Sequence, residues 1–260
     1  MFASWKSIAV AMLMVAGLIF SPGTAKASHI SLALSLAIDV SGSVSTAEYN
    51  LQRQGYVTAF QSAAVQSAIA ALPNGIAVNF VQWSSAGQQV QSVGWTLISN
   101  AAQANAFATT LGGVARAYSG STAPGNAIQF AASTFAGLSG INVTSVDRKV
   151  IDISGDGEQN DGINTATARN TALAGGITTI NGLAIGNASL GTWYQNNIVG
   201  GTNAFMVRVD DFNDFSAAIE QKLAREISAV PVPAGAYLAC IGIVCLAGYK
   251  KLNRKQPLIA

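Results

Sequence analysis

The chain alternates between short, densely apolar runs and longer segments in which apolar residues recur every three or four positions. Leu32–Ile38 is almost wholly apolar and too short for a helix, which predicts a buried strand. Ser45-Thr46-Ala47-Glu48 follows with the spacing of a capping box, in which a Ser hydroxyl and a Glu carboxylate each take a backbone N–H at a helix start. Tyr49, Tyr56, Phe60 and Ala63 then fall on one helical face, and Pro73-Asn74-Gly75 ends that unit. Ile76–Trp83 predicts a second strand. In Gln88–Trp95 the apolar Val90, Val93 and Trp95 are spread among Gln and Ser, the pattern of an exposed edge strand joined to the second by a short turn.

Farther on, Asn100–Leu111 and Ala123–Phe135 read as helices separated by the small-residue loop Tyr118-Ser119-Gly120-Ser121-Thr122. Lys149–Ser154 reads as a buried strand broken at Gly155-Asp156-Gly157, and Ile163–Ala174 as a helix stopped by Gly175-Gly176. A strand over Ile177–Ile185, a short helix over Trp193–Ile198 and a last strand over Ala204–Val209 complete the order. Phe212, Phe215, Ile219 and Leu223 line one face of a final helix. This rhythm predicts an α/β domain: a doubly wound, mostly parallel sheet flanked by helices, with one antiparallel edge strand. Such sheets take ligands at the carboxyl ends of their strands, near the topological switch point.

The two ends of the 260-residue chain read differently. Lys6, the apolar stretch Ile8–Phe20 and Ala25-Lys26-Ala27 follow the plan of a secretory signal peptide over residues 1–27, with an uncleaved anchor as the alternative. Val230-Pro231-Val232-Pro233 precedes the uncharged apolar run Ala234–Tyr249, and Lys250, Lys251, Arg254 and Lys255 follow it. As a helix that run would span roughly 24 Å against a hydrocarbon core of roughly 30 Å. It is expected to enter the membrane, with the basic cluster cytoplasmic. The tripartite plan resembles the C-terminal sorting signals of exosortase-type systems (PEP-CTERM-like), although Val232 stands where Glu is usual; a plain single-pass anchor is the alternative. The domain itself is expected over residues 28–229.

Charge and cysteine narrow the chemistry. All 12 acidic residues lie within the domain, while six of the 14 basic ones lie in the two ends, so the net charge of +2 hides an acidic domain. It has no basic patch, which argues against nucleic acid. Cys240 and Cys245 both fall in the C-terminal apolar run, so the domain has no disulfide, thiol nucleophile or zinc–thiolate site. The sole histidine, His29, stands beside the expected cleavage point as a solvated terminus, which excludes a serine-hydrolase triad.

Asp39-Val40-Ser41-Gly42-Ser43 supplies a carboxylate and two hydroxyls where the first strand gives way to a turn. These are hard oxygen donors, suited to Mg²⁺, Mn²⁺ or Ca²⁺. Thr122 in a second loop and Asp156 in a third fall at the same end of the predicted sheet. Asp152 is an odd acid inside an apolar strand, standing either behind the ligands or against a helix terminus. Glu158 and Asp161 read as a solvated turn, and Trp83, Trp95, Trp193 and Tyr194 as core or edge packing.

Together these motifs resemble the von Willebrand factor type A domain and its metal-ion-dependent adhesion site, over residues 30–227 and in matching order. Gln52-Arg53-Gln54-Gly55-Tyr56, Val150 through Gly157, and Gly176-Ile177-Thr178 through Asn181-Gly182-Leu183 resemble an uncharacterised secreted bacterial branch of that family. The resemblance implies that Ser41 and Ser43 bind a divalent cation directly, Asp39 directly or through water, Thr122 switchably, and Asp156 mostly through water. It also implies Mg²⁺ as the usual ion and a partner protein or matrix ligand that offers a carboxylate to it. The family's third loop more often reads Thr-Asp-Gly; here Ser154-Gly155-Asp156-Gly157 offers two registers, and Asp156 is the one outside the strand. The implied protein is exported and associated with the cell surface. Metal-assisted hydrolysis or phosphoryl transfer is one alternative, although no basic residue lies in the three loops and Arg116 is only near them. A metal-free turn and helix cap is the other.

Overall fold

A computed structural model describes residues 28–228. In chain order the elements are β1 (Ser28–Asp39), α1 (Thr46–Gln61), α2 (Ala63–Ala70), β2 (Ile76–Trp83), β3 (Gln89–Ile98), α3 (Ala101–Gly112) and α4 (Pro124–Thr134). They continue as β4 (Val143–Gly155), α5 (Thr165–Ala174), β5 (Thr179–Ile185), α6 (Ala188–Asn197), β6 (Gly200–Gly201), β7 (Met206–Val209) and α7 (Phe215–Ser228). A 3₁₀ segment, Phe135–Ile141, links α4 to β4. The expected signal peptide and the run at 234–249 lie outside the described residues. Among the described residues, no helix is long and apolar enough to cross a membrane.

The sheet runs β3-β2-β1-β4-β5, with β7 continuing it in parallel beside β5. The pairs β1–β2, β1–β4 and β4–β5 are parallel, and β3 lies antiparallel on β2 as the edge strand. A second antiparallel piece was not expected: Gly200 and Gly201 pair with Ile180 and Thr179 at the start of β5. Two glycines carry no alternation from which a strand could be read. The chain leaves β1 toward β2 on one side and returns through β4 on the other, so the switch point lies between the carboxyl ends of β1 and β4.

Alternation along β1 divides the core. Leu32, Leu34, Leu36 and Ile38 pack with Tyr56 and Phe60 of α1, Phe107 of α3, and Phe215, Ile219 and Leu223 of α7. Ala33 and Ala37 face the other way, with Ile128 of α4, Ala172 of α5, and Leu190 and Tyr194 of α6. Fully burying one such large apolar side chain contributes roughly 1.5–3 kcal/mol, so two full layers leave the sheet no freedom to slip.

Several boundaries differ from expectation for local reasons. Ala63 is exposed rather than part of the α1 face, because Ser62 leaves helical geometry (ψ 147°) and its hydroxyl caps α2. β1 and β4 extend toward their amino ends, where Ser28–Ile30 pair with Val143–Val146. His29 thus lies at the start of the central strand β1, exposed to solvent as expected, with its Nε2 2.7 Å from Asp147 Oδ1 of β4. α6 begins five residues earlier than expected at an Asn187 cap. The Pro73-Asn74-Gly75 turn closes as expected. Gly75 has φ 63°, and a Cβ there would lie 2.5 Å from the Ile98 carbonyl.

Asp152 points into the layer beneath α7, where it ion-pairs with Lys222. Lys222 also lies 2.6 Å from Glu226 Oε1, which accepts from Asn181 Nδ2 at 2.8 Å. Asp152, Lys222 and Glu226 are all at most 1% exposed. Asp152 is therefore a structural anchor for α7 and makes no hydrogen bond to the residues expected to hold a metal. Two carboxylates share one ammonium. Burial, aided by the charge of Asp152, pushes Glu226 up to about 7 against the pull of Lys222.

Two outcomes follow for stability. Lys222→Ala leaves two buried carboxylates without a cation and should cost about 3–5 kcal/mol in denaturant unfolding. Glu226 holds its proton more tightly folded than unfolded. Its contribution is full below the unfolded value of 4.5 and is lost as pH rises through about 7. Glu226→Gln should flatten part of the decline in unfolding free energy between about pH 4.5 and 7.

Candidate metal centre

Three loops meet at the carboxyl ends of β1 and β4. Asp39 is the last residue of β1 and fully buried, and its Oδ1 accepts from the Ser41 N–H at 2.7 Å. That contact bends the chain back so that the Ser41 and Ser43 hydroxyls lie 3.1 Å apart. Ser43 in turn donates to Asp156 Oδ1 at 2.7 Å, one residue beyond β4. The second loop is tied in by backbone, the Gly42 N–H donating to the Gly120 carbonyl at 2.7 Å. Thr122 is buried, and its N–H donates to Asn160 Oδ1 at 2.8 Å while its carbonyl accepts from the amides of Asn160 and Asp161. Its side chain sits over Gly157, where an added Cβ would lie 3.4 Å from Oγ1. All five expected residues are thus neighbours: the hydroxyls of Ser41 and Ser43 and the Asp156 carboxylate form one hydrogen-bonded run, the Ser41 amide ties Asp39 to it, and Thr122 lies beside it.

Residues that sequence reasoning assigned no role hold these loops. Arg116 donates from Nη2 to the carbonyls of Val40 (3.0 Å) and Ser41 (2.7 Å), and from Nε to that of Tyr118 (2.9 Å). One guanidinium therefore joins two loops through their backbones. Gln52, nearly two turns into α1, donates to the Asp39 carbonyl at 3.1 Å. Gln52 lies within a stretch already set apart by the family resemblance, whereas Arg116 had no local signal beyond proximity in sequence. Asp161, expected in a solvated turn, accepts from the Ala86 N–H at 2.8 Å and so fixes the loop that follows Asp156 against the β2–β3 turn.

The electrostatics are those of a carboxylate without its counter-charge. Burial first, and repulsion from Asp156 second, push Asp39 up to about 7. The amides of Ser41 and Asp156 offset this in part, but only Ser41 makes a hydrogen bond of normal geometry, and Asp39 Oδ2 has no partner. Burial also raises Asp156, with Glu48 adding to it and the Ser43 hydroxyl opposing it. Oxygens alone, two of them charged, with one buried carboxylate oxygen unpaired, fit a hard divalent cation. Among the described residues no three His, Cys, Asp or Glu side chains gather at one place, so the candidate centre is built mainly from hydroxyls. A cleft of about 250 Å³ opens beside Asp156, bordered by Glu158, Asn187 and Ser189. A larger cavity of about 660 Å³ lies at the amino ends of the strands, near His29, Leu72 and Phe205, and includes none of the five residues.

The family described as protein of unknown function (DUF1194) matches residues 29–231. The chain belongs to that family. No curated protein matches this DUF1194 chain. Among solved structures it is similar to proximal thread matrix protein 1 from the mussel byssus, with a TM-score of 0.58 and 15% identity over 75% of this chain and 47% of that one. Another structure of the mussel protein, described as having a zinc-occupied MIDAS motif, gives a TM-score of 0.53 and 17% identity over 76% and 46%. The pilus adhesin SpaC from Lactobacillus rhamnosus GG matches at a TM-score of 0.53 and 15% identity, over 76% of this chain and 31% of the adhesin. The DUF1194 chain thus spans under half the length of the mussel proteins and about a third of the adhesin. These likenesses establish the von Willebrand factor A-type α/β fold that the motifs imply.

Arg116→Met should leave the helices and sheet in place while loosening the Asp39 and Tyr118 loops together. Its expected effect is a Mn²⁺ affinity lower by roughly ten- to a hundredfold, read by calorimetric titration.

Proposed function

We propose that this chain is an exported, surface-associated module that binds a protein or matrix ligand through a divalent cation, Mg²⁺ foremost and Mn²⁺ or Ca²⁺ as substitutes. The observation that carries this reading is the hydrogen-bonded run of oxygens from Ser41 through Ser43 to Asp156, joined to Asp39 through the Ser41 amide, with Asp39 Oδ2 buried and unpaired. Ser41, Ser43 and Thr122 would contribute neutral hydroxyls, and Asp39 and Asp156 the two charges. A divalent cation held by so few charged protein groups stays electrophilic and seeks another carboxylate. A partner's Asp or Glu supplies it, so the ion bridges two proteins. The adhesin and matrix-protein neighbours support this reading through the fold they share with the DUF1194 chain, as does the MIDAS motif of the mussel protein.

The secretory leader expected over residues 1–27 and the Pro-containing, apolar and basic C-terminal segment are consistent with a place at the cell surface. We read the centre as a binding site rather than a catalytic one. Phosphoryl transfer normally uses a Lys or Arg over the phosphate besides the metal, and the guanidinium of Arg116 is committed to three backbone carbonyls.

Calorimetric titration of Mg²⁺ and Mn²⁺ into the full chain tests the reading. Wild type should show saturable binding that Asp39→Ala abolishes, with a loss of at least about a hundredfold, while circular dichroism of the variant stays native. Capture of a surface or matrix partner at full strength in excess chelator would overturn it.

A further inference from the structure

Asp39 Oδ2 is not the only unpaired polar atom in this corner. Tyr194, on α6, is fully buried, and its hydroxyl also has no partner. Both atoms border one point: a Cβ added to Gly155 would lie 2.7 Å from Asp39 Oδ2 and 2.7 Å from Tyr194 Oη. Two glycines create the space. Gly182 of β5 lets the ring lie against the sheet, where a Cβ would approach Tyr194 Cδ1 to 3.1 Å, and Gly155 of β4 lets the hydroxyl reach past the strand end toward β1. The parity of the strands agrees with this route. Asp39 shares its face of β1 with Ala33 and Ala37, which pack in the same layer as Tyr194. The other buried tyrosine near the site, Tyr56, works from the opposite face, and its hydroxyl is already paired with Ser154 Oγ at 3.3 Å.

A buried phenol with nothing to donate to, beside a buried carboxylate oxygen with nothing to accept from, is an incomplete arrangement. We infer that Tyr194 is a positioning residue of the centre: its hydroxyl is the hydrogen-bond donor for Asp39 Oδ2 when Asp39 is ionised against a divalent cation. The inference rests on the reading of this centre as a cation site. Oδ1 is held by the Ser41 amide. A donor on Oδ2 would fix the remaining rotation of the carboxylate and stabilise its charge from the side opposite the solvent-facing hydroxyls. Groups that orient a ligand in this way typically change metal affinity by ten- to a hundredfold.

The test is Tyr194→Phe in the full chain, titrated with Mn²⁺ and unfolded thermally in chelator and in saturating Mn²⁺. Mn²⁺ affinity should fall by about tenfold or more. In chelator the melting temperature should be unchanged or higher, because the deleted hydroxyl has no partner to lose. The rise in melting temperature produced by Mn²⁺ should shrink. As a check that needs no variant to fold, Mg²⁺ added to wild type should produce a tyrosine band in the near-ultraviolet difference spectrum. Unchanged affinity, an equal fall in melting temperature with and without metal, or a difference spectrum without a tyrosine band would each reduce Tyr194 to packing and overturn the inference, leaving the cation site standing. A wild-type chain that binds no Mn²⁺ would instead remove the cation reading itself, and the inference with it.

Discussion

A carboxylate at the end of the central strand, shut away from water, is the constraint around which this end of the molecule is arranged. Asp39 is fully buried where β1 and β4 part, and an ionised group there without a partner carries a penalty of several kcal/mol. The protein meets part of it with the Ser41 amide and leaves the rest open, which pushes the carboxyl toward neutrality at about pH 7. The surroundings keep that conflict from being relieved by movement. Gln52 holds the Asp39 carbonyl, Arg116 holds the two carbonyls that follow, and Gly42 is bonded to the neighbouring loop. An opposite charge brought to the hydroxyls of Ser41 and Ser43 would resolve the strain; small rearrangements of the backbone would not.

The neighbouring strand carries a second buried acid with a different solution. Asp152 is three residues inside β4 and meets Lys222 and Glu226 of α7, so its counter-charge comes from within the chain. Lys222 stays charged because two carboxylates outweigh its own desolvation. Asp152 is thus satisfied within the fold and secures the last helix, while Asp39, at the end of the neighbouring β1, keeps one carboxylate oxygen unpaired. Arg148 supports the first arrangement from the same strand, donating to the carbonyls of Glu226 and Ile227 at the end of α7, both at 3.0 Å. The contrast between the two acids is a difference of partners rather than of residue type.

Much of the architecture was legible because it depends on short-range patterns. The Ser45 capping box, the apolar runs of β1, β2 and β4 and the Gly155-Asp156-Gly157 break all depend on neighbours in sequence, and each lies where its pattern places it. Asp39, Ser41 and Ser43 were legible as a group because they fall within five consecutive residues. Less visible were features whose cause is far away. The break at Ser62 looked like a continuing helix, the Gly200–Gly201 pairing had no side-chain pattern at all, and His29 looked like a free terminus although Asp147 holds it from another strand.

The sequence by itself determined the fold class, the strand order's rhythm and the chemistry on offer at the first turn, since local propensity and apolar periodicity act within a few residues. Whether those groups meet is a different question. Asp156 reaches the Asp39 turn only because parallel pairing of β1 with β4 brings residues more than a hundred positions apart to one end of the sheet, and Thr122 joins them from the loop before α4. The partners of Asp152, the clamp made by Arg116 and the approach of Tyr194 across two glycines were likewise decided by tertiary packing. Burial and pairing are properties of the surroundings a side chain acquires on folding, so only the folded structure separates an acid that anchors a helix from one that awaits a cation.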